Sequence, residues 1–201
     1  MGSVDASSDE QPWAIAIAAC TVLTMDGERM RVRDLWRTGV TATAFLRHYG
    51  CIFCLQFAHD VLEAAPEIIA RGATLLLVGN GTVSQAKHFF EGRGLPRKGC
   101  MVATDPERET YQAAKFHRGF ARTFLERPAR RAYEEARADG HKITGLFGDL
   151  TQLGGLTVTS PPARLVYFFR SEYAGDHPAV AEVLDAVTRA TASARANLPT
   201  S

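Results

Sequence analysis

The chain lacks any apolar run near the roughly 20 residues that a membrane-spanning helix needs. It also lacks an excess of charge: 23 Lys and Arg face 22 Asp and Glu, for a formal net charge of +1. Such a balance gives no general attraction to nucleic acid or to a membrane surface. The first ten residues, Met1 to Glu10, are polar and acidic, without the positive segment that opens a secretory signal. The apolar stretch from Trp13 to Cys20 is short, and no positive segment precedes it. A reducing, cytoplasmic setting is therefore expected, where paired cysteines are more often catalytic than structural. No internal repeat is visible. Cys20 and Cys100 stand alone and the histidines are scattered, so the second Cys/His pair that a zinc site would need is missing.

What the chain does have is ample core material, with 46% of its 201 residues hydrophobic. That suits one domain with extensions. It also has one stretch on which the rest turns: Thr43-Ala44-Phe45-Leu46-Arg47-His48-Tyr49-Gly50-Cys51-Ile52-Phe53-Cys54. An apolar run ends, a glycine permits a tight turn, and two cysteines follow with two residues between them. Residues 55–62 then show helical spacing. Both thiols are thus expected where a strand hands over to a helix, facing unpaired N–H groups and the positive end of the helix dipole. There a Cys-x-x-Cys thiol can fall from about 8.5 to roughly 3.5–7.5. Arg47 and His48 add nearby charge. Half of a zinc site and two buried, inert thiols are the plainer alternatives.

Taken in order, residues 1–12 are expected to form a disordered tail, 13–195 the folded domain and 196–201 a frayed end. Asp26-Gly27 between two short alternating runs predicts a hairpin. Residues 41–46 read as a buried strand and 51–65 as a helix, which Pro66 interrupts and Gly72 finally stops. Thr74 to Val78 is a continuous apolar run, the mark of a central strand covered on both faces. Residues 84–91 form the next helix and Cys100 to Ala103 a short strand. Asp105-Pro106-Glu107 predicts a helix start with Asp as its cap, reaching about Phe116. From His117 to Arg137, arginines alternate with aromatics. That pattern could suit base stacking, but Glu126, Glu134, Glu135 and Asp139 cancel much of the charge, and an amphipathic helical insertion is expected instead. Residues 156–159 and 164–169 predict an antiparallel hairpin, and Asp176-His177-Pro178 the opening of a last helix. Strand–helix–strand–helix followed by a hairpin and a helix is an α/β fold with a central mixed sheet flanked by helices.

This order is that of thioredoxin. Phe45 to Cys54 also resembles the Phe-x-Arg-His/Arg-Phe-Gly-Cys-x-x-Cys run of the peroxiredoxin-like 2 family, in the AhpC/TSA group. So do Thr104-Asp105-Pro106-Glu107-Arg108, Gly119-Phe120-Ala121-Arg122-Thr123, the eight residues from Gly148 to Gly155, and Arg170 to Pro178. The resemblance runs from about Cys20 to about Val187. It implies a thioredoxin-like fold and thiol-dependent reduction of peroxides or, in some members, of prostaglandin-type endoperoxides.

The expected catalytic residues are Cys51, Cys54 and Arg47, with no metal and no cofactor. A thiolate attacks the O–O bond and becomes a sulfenic acid, and the second thiol condenses with it to a disulfide. Residues three apart at a helix start are neighbours, near the separation a disulfide wants. Thioredoxin or another dithiol would reset the pair. Arg47 is the candidate for lowering a thiolate pKa, while His48 reads as structural. Thioredoxin logic makes Cys51 the attacking thiol; alignment on other peroxiredoxins makes it Cys54. The reading leans to Cys51, the first residue of the motif. Expected partners are the peroxide or endoperoxide and the dithiol reductant, with a homodimer left open. A thioredoxin-like protein disulfide reductase and a non-catalytic, redox-regulated protein are the competing functions.

Overall fold

The computed structural model describes residues 10–92, 99–119 and 148–196, with Val4–Asp5 and the single positions Leu95, Arg131 and Glu134. In chain order its elements are β1 (Val4–Asp5), α1 (Gln11–Ala19), β2 (Thr21–Thr24), β3 (Arg29–Arg31), α2 (Val32–Trp36), β4 (Val40–Leu46), α3 (Ile52–Glu63) and α4 (Ala65–Ala70). They continue with β5 (Ala73–Gly79), α5 (Val83–Phe90), β6 (Met101–Thr104), α6 (Glu109–Ala113), β7 (Gly155–Ser160), β8 (Arg164–Arg170) and α7 (Val180–Ala196). The strands form one mixed sheet in the order β1-β8-β7-β4-β5-β6-β2-β3. The Asp26-Gly27 hairpin is present as β2 and β3, and the second hairpin as β7 and β8.

Two cores explain why the central strands are buried on both faces. A strand sends alternate side chains to opposite faces. Ala42, Ala44 and Leu46 of β4 and Leu75 and Leu77 of β5 join α3, α4, α5 and α7 in one cluster. Phe45 of β4 and Leu76 and Val78 of β5 point the other way and join α1, α2 and α6. A strand with helices on both sides has no solvent face, so β5 is a nearly continuous apolar run and even Thr41 and Thr43 of β4 are fully buried.

The topology gathers three loops at one end of the sheet. β4 lies between parallel β5 and antiparallel β7, with Leu46 beside Gly79 and Phe45 beside Gly155. The turn after β4, the turn after β5 and the loop before β7 therefore meet above the same edge. Tyr111 of α6 ties two of these strand ends together. Its buried hydroxyl is shared between the carbonyls of Leu46 at 2.6 Å and Val78 at 3.1 Å.

Three expectations need correction. Gln11 and Pro12 are part of α1 rather than of a tail: the Gln11 side chain exchanges two hydrogen bonds with the backbone of Leu165. Val4 and Asp5 likewise pair with Phe168 and Tyr167 at the sheet edge. The helix expected from Asp105 starts only at Glu109, because Arg108 adopts a left-handed conformation at φ 61° and breaks the first turn. Asp105 still caps it, receiving the N–H groups of Glu109 and Thr110 and the Thr110 hydroxyl. Asp176 does not open α7; it accepts the Glu172 N–H at 2.8 Å, and the helix begins at Val180. The Arg/Phe-rich segment 117–137 lies outside the described residues from Phe120 on, apart from Arg131 and Glu134, and so does 197–201.

Tyr111→Phe leaves two buried carbonyls short of a donor, so unfolding should become easier by about 1–2 kcal/mol. Urea denaturation followed by circular dichroism measures this; an unchanged midpoint would show that the hydroxyl bridge does not hold the strand ends.

Candidate active site

Cys51 is the N-cap of α3, in extended backbone, and Cys54 lies in the first turn. The Cys51 carbonyl accepts the Leu55 N–H, and the Cys51 N–H returns to the His48 carbonyl. The helix interrupts as expected, α3 ending at Glu63 and α4 carrying Pro66 in its first turn. Both thiols are buried, Cys51 at 6% exposure and Cys54 at 1%, so the first of the pair is the more accessible.

Arg47 is the third member. Its side chain is only 3% exposed, and every arm is engaged. Nε donates to the Gln152 carbonyl at 3.1 Å, Nη2 to the Leu150 carbonyl at 2.8 Å, and Nη1 to the Cys51 sulfur at 3.1 Å. Among the described residues no carboxylate pairs with it. A buried cation needs a compensating negative charge, and the group in place to supply it is the Cys51 sulfur. Burial alone would oppose ionisation of Cys51. The hydrogen bond from Cys54, the charge of Arg47 and the contact with His48 outweigh it and hold Cys51 well below the ordinary thiol range. Cys54 goes the other way, pushed well up by burial, by its hydrogen bond to Cys51 and by the Cys51 charge. The two thiols are thus driven apart, Cys51 toward the thiolate and Cys54 toward the thiol.

The 148–154 loop holds Arg47 in place, and two glycines let it come close enough. Asn80 sits at the end of β5. Its side-chain nitrogen donates to the Arg47 carbonyl and to the Asp149 carbonyl, and its oxygen accepts the Asp149 N–H at 2.7 Å. Gly148, at φ +83°, passes so near that a Cβ would lie 1.9 Å from the Asn80 carbonyl oxygen. A Cβ on Gly154 would lie 2.0 Å from the Phe45 carbonyl oxygen. Asp149 anchors the far side, accepting from Arg118 at 2.8 Å, from Arg108 at 3.2 Å and from Thr151. Burial raises the Asp149 carboxyl, but the Thr151 hydrogen bonds and Arg118 more than offset this and hold it low.

The structure therefore brings Cys51, Cys54, Arg47 and His48 together. It keeps Cys20 apart, with its thiol donating to the Ala16 carbonyl and pushed up to about 11 by burial and by Asp105 and Glu109. Cys100 precedes β6 at the opposite end of the sheet. Among the described residues no three His, Cys, Asp or Glu gather as a metal site, and no helix is long and apolar enough to cross a membrane. Asn80, Asp149 and Gln152 were not expected at the site. Their one signal was the resemblance carried by the 148–155 run, and for Asn80 its place between two glycines after a central strand.

The family model for AhpC/TSA antioxidant enzymes matches residues 61–173, a range that begins after the two cysteines. The chain is 31% identical to the thioredoxin-like protein AAED1, chloroplastic, of Arabidopsis thaliana, over 82% of this chain and 68% of that one. It is 26% identical to peroxiredoxin-like 2C of Mus musculus over 88% and 81%. It is 29% identical to the human prostamide/prostaglandin F synthase over 80% and 82%. Among solved structures, reduced Prx3 of Vibrio vulnificus in complex with hydrogen peroxide superposes with a TM-score of 0.62 over 86% of this chain and 96% of that one, at 10% identity. That likeness concerns the fold alone, which is thioredoxin-like.

Arg47→Ala removes the cation that favours the Cys51 thiolate, so alkylation of Cys51 at neutral pH should slow about tenfold or more and its pH profile move upward. Gly148→Ala should shift the profile in the same direction by displacing the loop that holds Arg47. Site-resolved iodoacetamide labelling across pH checks both. Superimposable profiles for wild type and Arg47→Ala would remove Arg47 from the site.

Proposed function

The chain belongs to the AhpC/TSA antioxidant-enzyme family, and from that premise we propose that it reduces peroxides, linear or cyclic, through a Cys51/Cys54 dithiol cycle. The observation that carries this reading is the buried Arg47 guanidinium, without a carboxylate, 3.1 Å from the Cys51 sulfur. The Cys51 thiolate attacks one peroxide oxygen; an S–O bond forms as the O–O bond breaks, and the leaving oxygen takes a proton. With a hydroperoxide the product on Cys51 is a sulfenic acid; with an endoperoxide it is a sulfenate ester of the opened ring. The Cys54 sulfur then attacks Cys51, the S–S bond forms, and water or the alcohol departs with the Cys54 proton. A dithiol such as thioredoxin returns the pair to the reduced form in a reducing, cytoplasmic setting.

Cys51 is the attacking thiol in this reading, supported by its lower pKa, its greater exposure and its place outside the helix. Cys54, kept protonated, resolves. Arg47 stabilises the thiolate and faces the charge that develops on the departing oxygen. The endoperoxide arm is supported by the relative named for prostaglandin F synthesis. A dithiol at a helix start also suits disulfide exchange, so an oxidised protein disulfide belongs in any substrate comparison.

Under limiting hydroperoxide, wild type and the Cys20→Ser/Cys100→Ser double variant should both lose two hydrogens in intact mass. Cys54→Ser should stop at a trapped sulfenic acid on Cys51, and Cys51→Ser should not turn over. A sulfenic acid on Cys54 in Cys51→Ser would reverse the order of attack. No loss of two hydrogens in wild type would contradict the dithiol cycle.

A further inference from the structure

Thiolate attack on a hydroperoxide leaves the substrate's own O–H proton to be placed, and Arg47, an obligatory donor, cannot accept it. A group with a lone pair packs on the helix that carries the dithiol. The His177 ring lies flat on Phe57 of α3, with centroids 4.4 Å apart and planes 4° apart. Phe57 follows Cys54 by three residues, so the two side chains share one face of that helix. His177 Nε2 is buried and has no hydrogen-bond partner. Such an atom is costly to leave unpaired and invites a ligand.

The ring's tautomer follows from its other contact. The Phe53 backbone favours the charged ring, as a carbonyl facing the other ring nitrogen does, and the N–H of the neutral imidazole is assigned to that side. Nε2 then keeps the lone pair. Burial pushes the imidazole down to about 4, with the Cys51 thiolate opposing and Arg47 adding to the fall. At neutral pH the lone pair is therefore available. The charged groups that act on the ring are Cys51 and Arg47 from the β4–α3 turn; Asp176, its neighbour in the chain, is occupied by the Glu172 N–H.

We propose that His177 Nε2 accepts the O–H of the substrate at the Cys51 site, which makes hydroperoxides the preferred class over endoperoxides, since these carry no such proton. The inference rests on the peroxide-reductase reading of Cys51. As the S–O bond forms and the O–O bond breaks, the proton of the attacked oxygen, held at Nε2, ends on the departing alkoxide. The products are the Cys51 sulfenate and an alcohol.

The test reads the first oxidation of Cys51 in the full chain by rapid quench and mass spectrometry, with an alkyl hydroperoxide, a cyclic endoperoxide and iodoacetamide as three separate probes. His177→Phe keeps a flat ring against Phe57 and removes the acceptor. The hydroperoxide rate should fall roughly tenfold to a hundredfold, while the endoperoxide and alkylation rates stay within about twofold. His177→Gln, which returns an acceptor oxygen, should recover part of the loss. An unchanged hydroperoxide rate, or an equal fall with both oxidants, would overturn the role of His177. A wild-type Cys51 that iodoacetamide alkylates but neither oxidant touches would instead overturn the peroxide-reductase reading, and the proposal with it.

Discussion

A guanidinium buried without a carboxylate is the constraint on which the site depends. Arg47 gives two of its arms to main-chain carbonyls and the third to a sulfur. Carbonyls satisfy its hydrogen bonds but not its charge. Desolvating an unbalanced cation costs several kcal/mol, and ionising Cys51 offsets that cost. The thiolate is thus the counter-ion that makes a buried arginine tolerable, and the arginine is what makes a buried thiolate tolerable. Cys54 follows from this: a second thiolate beside the first would restore the imbalance, and burial, its hydrogen bond to Cys51 and the Cys51 charge all push it toward the protonated form.

The fold supplies the carbonyls. β4 runs between β5 and β7, and because one neighbour is parallel and the other antiparallel, the end of β5 and the start of β7 meet above the end of β4. Asn80 and the 148–154 loop come from those two neighbours. Asn80 clamps the Arg47 backbone while the loop carbonyls hold its side chain, so the guanidinium is fixed from both ends. The close approach at Gly148 and Gly154 is the geometric condition for that clamp. The proposed chemistry draws on this polarised pair, on a peroxide that can reach Cys51 and on a dithiol that resets the disulfide.

Much of this was legible in the sequence where the signal is local. Asp26-Gly27 marked a hairpin, the unbroken Thr74–Val78 run a strand with two covered faces, and Gly50-Cys51-x-x-Cys54 a helix start bearing two thiols. Arg47 could be suspected from its distance to Cys51 along the chain. What escaped is non-local. The bonds from Arg47 to Leu150 and Gln152 span more than 100 residues and leave no periodicity to read. The Gln11 side chain reaches Leu165 in the same way, which is why the expected tail was drawn too long. Asp105 was recognised as a cap, but the left-handed turn at Arg108 moved the helix it caps. His177 stood in a motif that reads as a helix opener, while its ring stacks on Phe57 of a helix more than 100 residues earlier in the chain.

The most direct test is a site-resolved titration of both thiols in the reduced wild-type protein, each followed by its own alkylated peptide. A buried Arg47 that uses Cys51 as its counter-ion requires Cys51 to be fully reactive at neutral pH and to lose reactivity only on acidification. It requires Cys54 to stay unreactive until well above pH 9. Two thiols that titrate together in the ordinary range near 8.5 would contradict it, because Arg47 would then be neutralising neither.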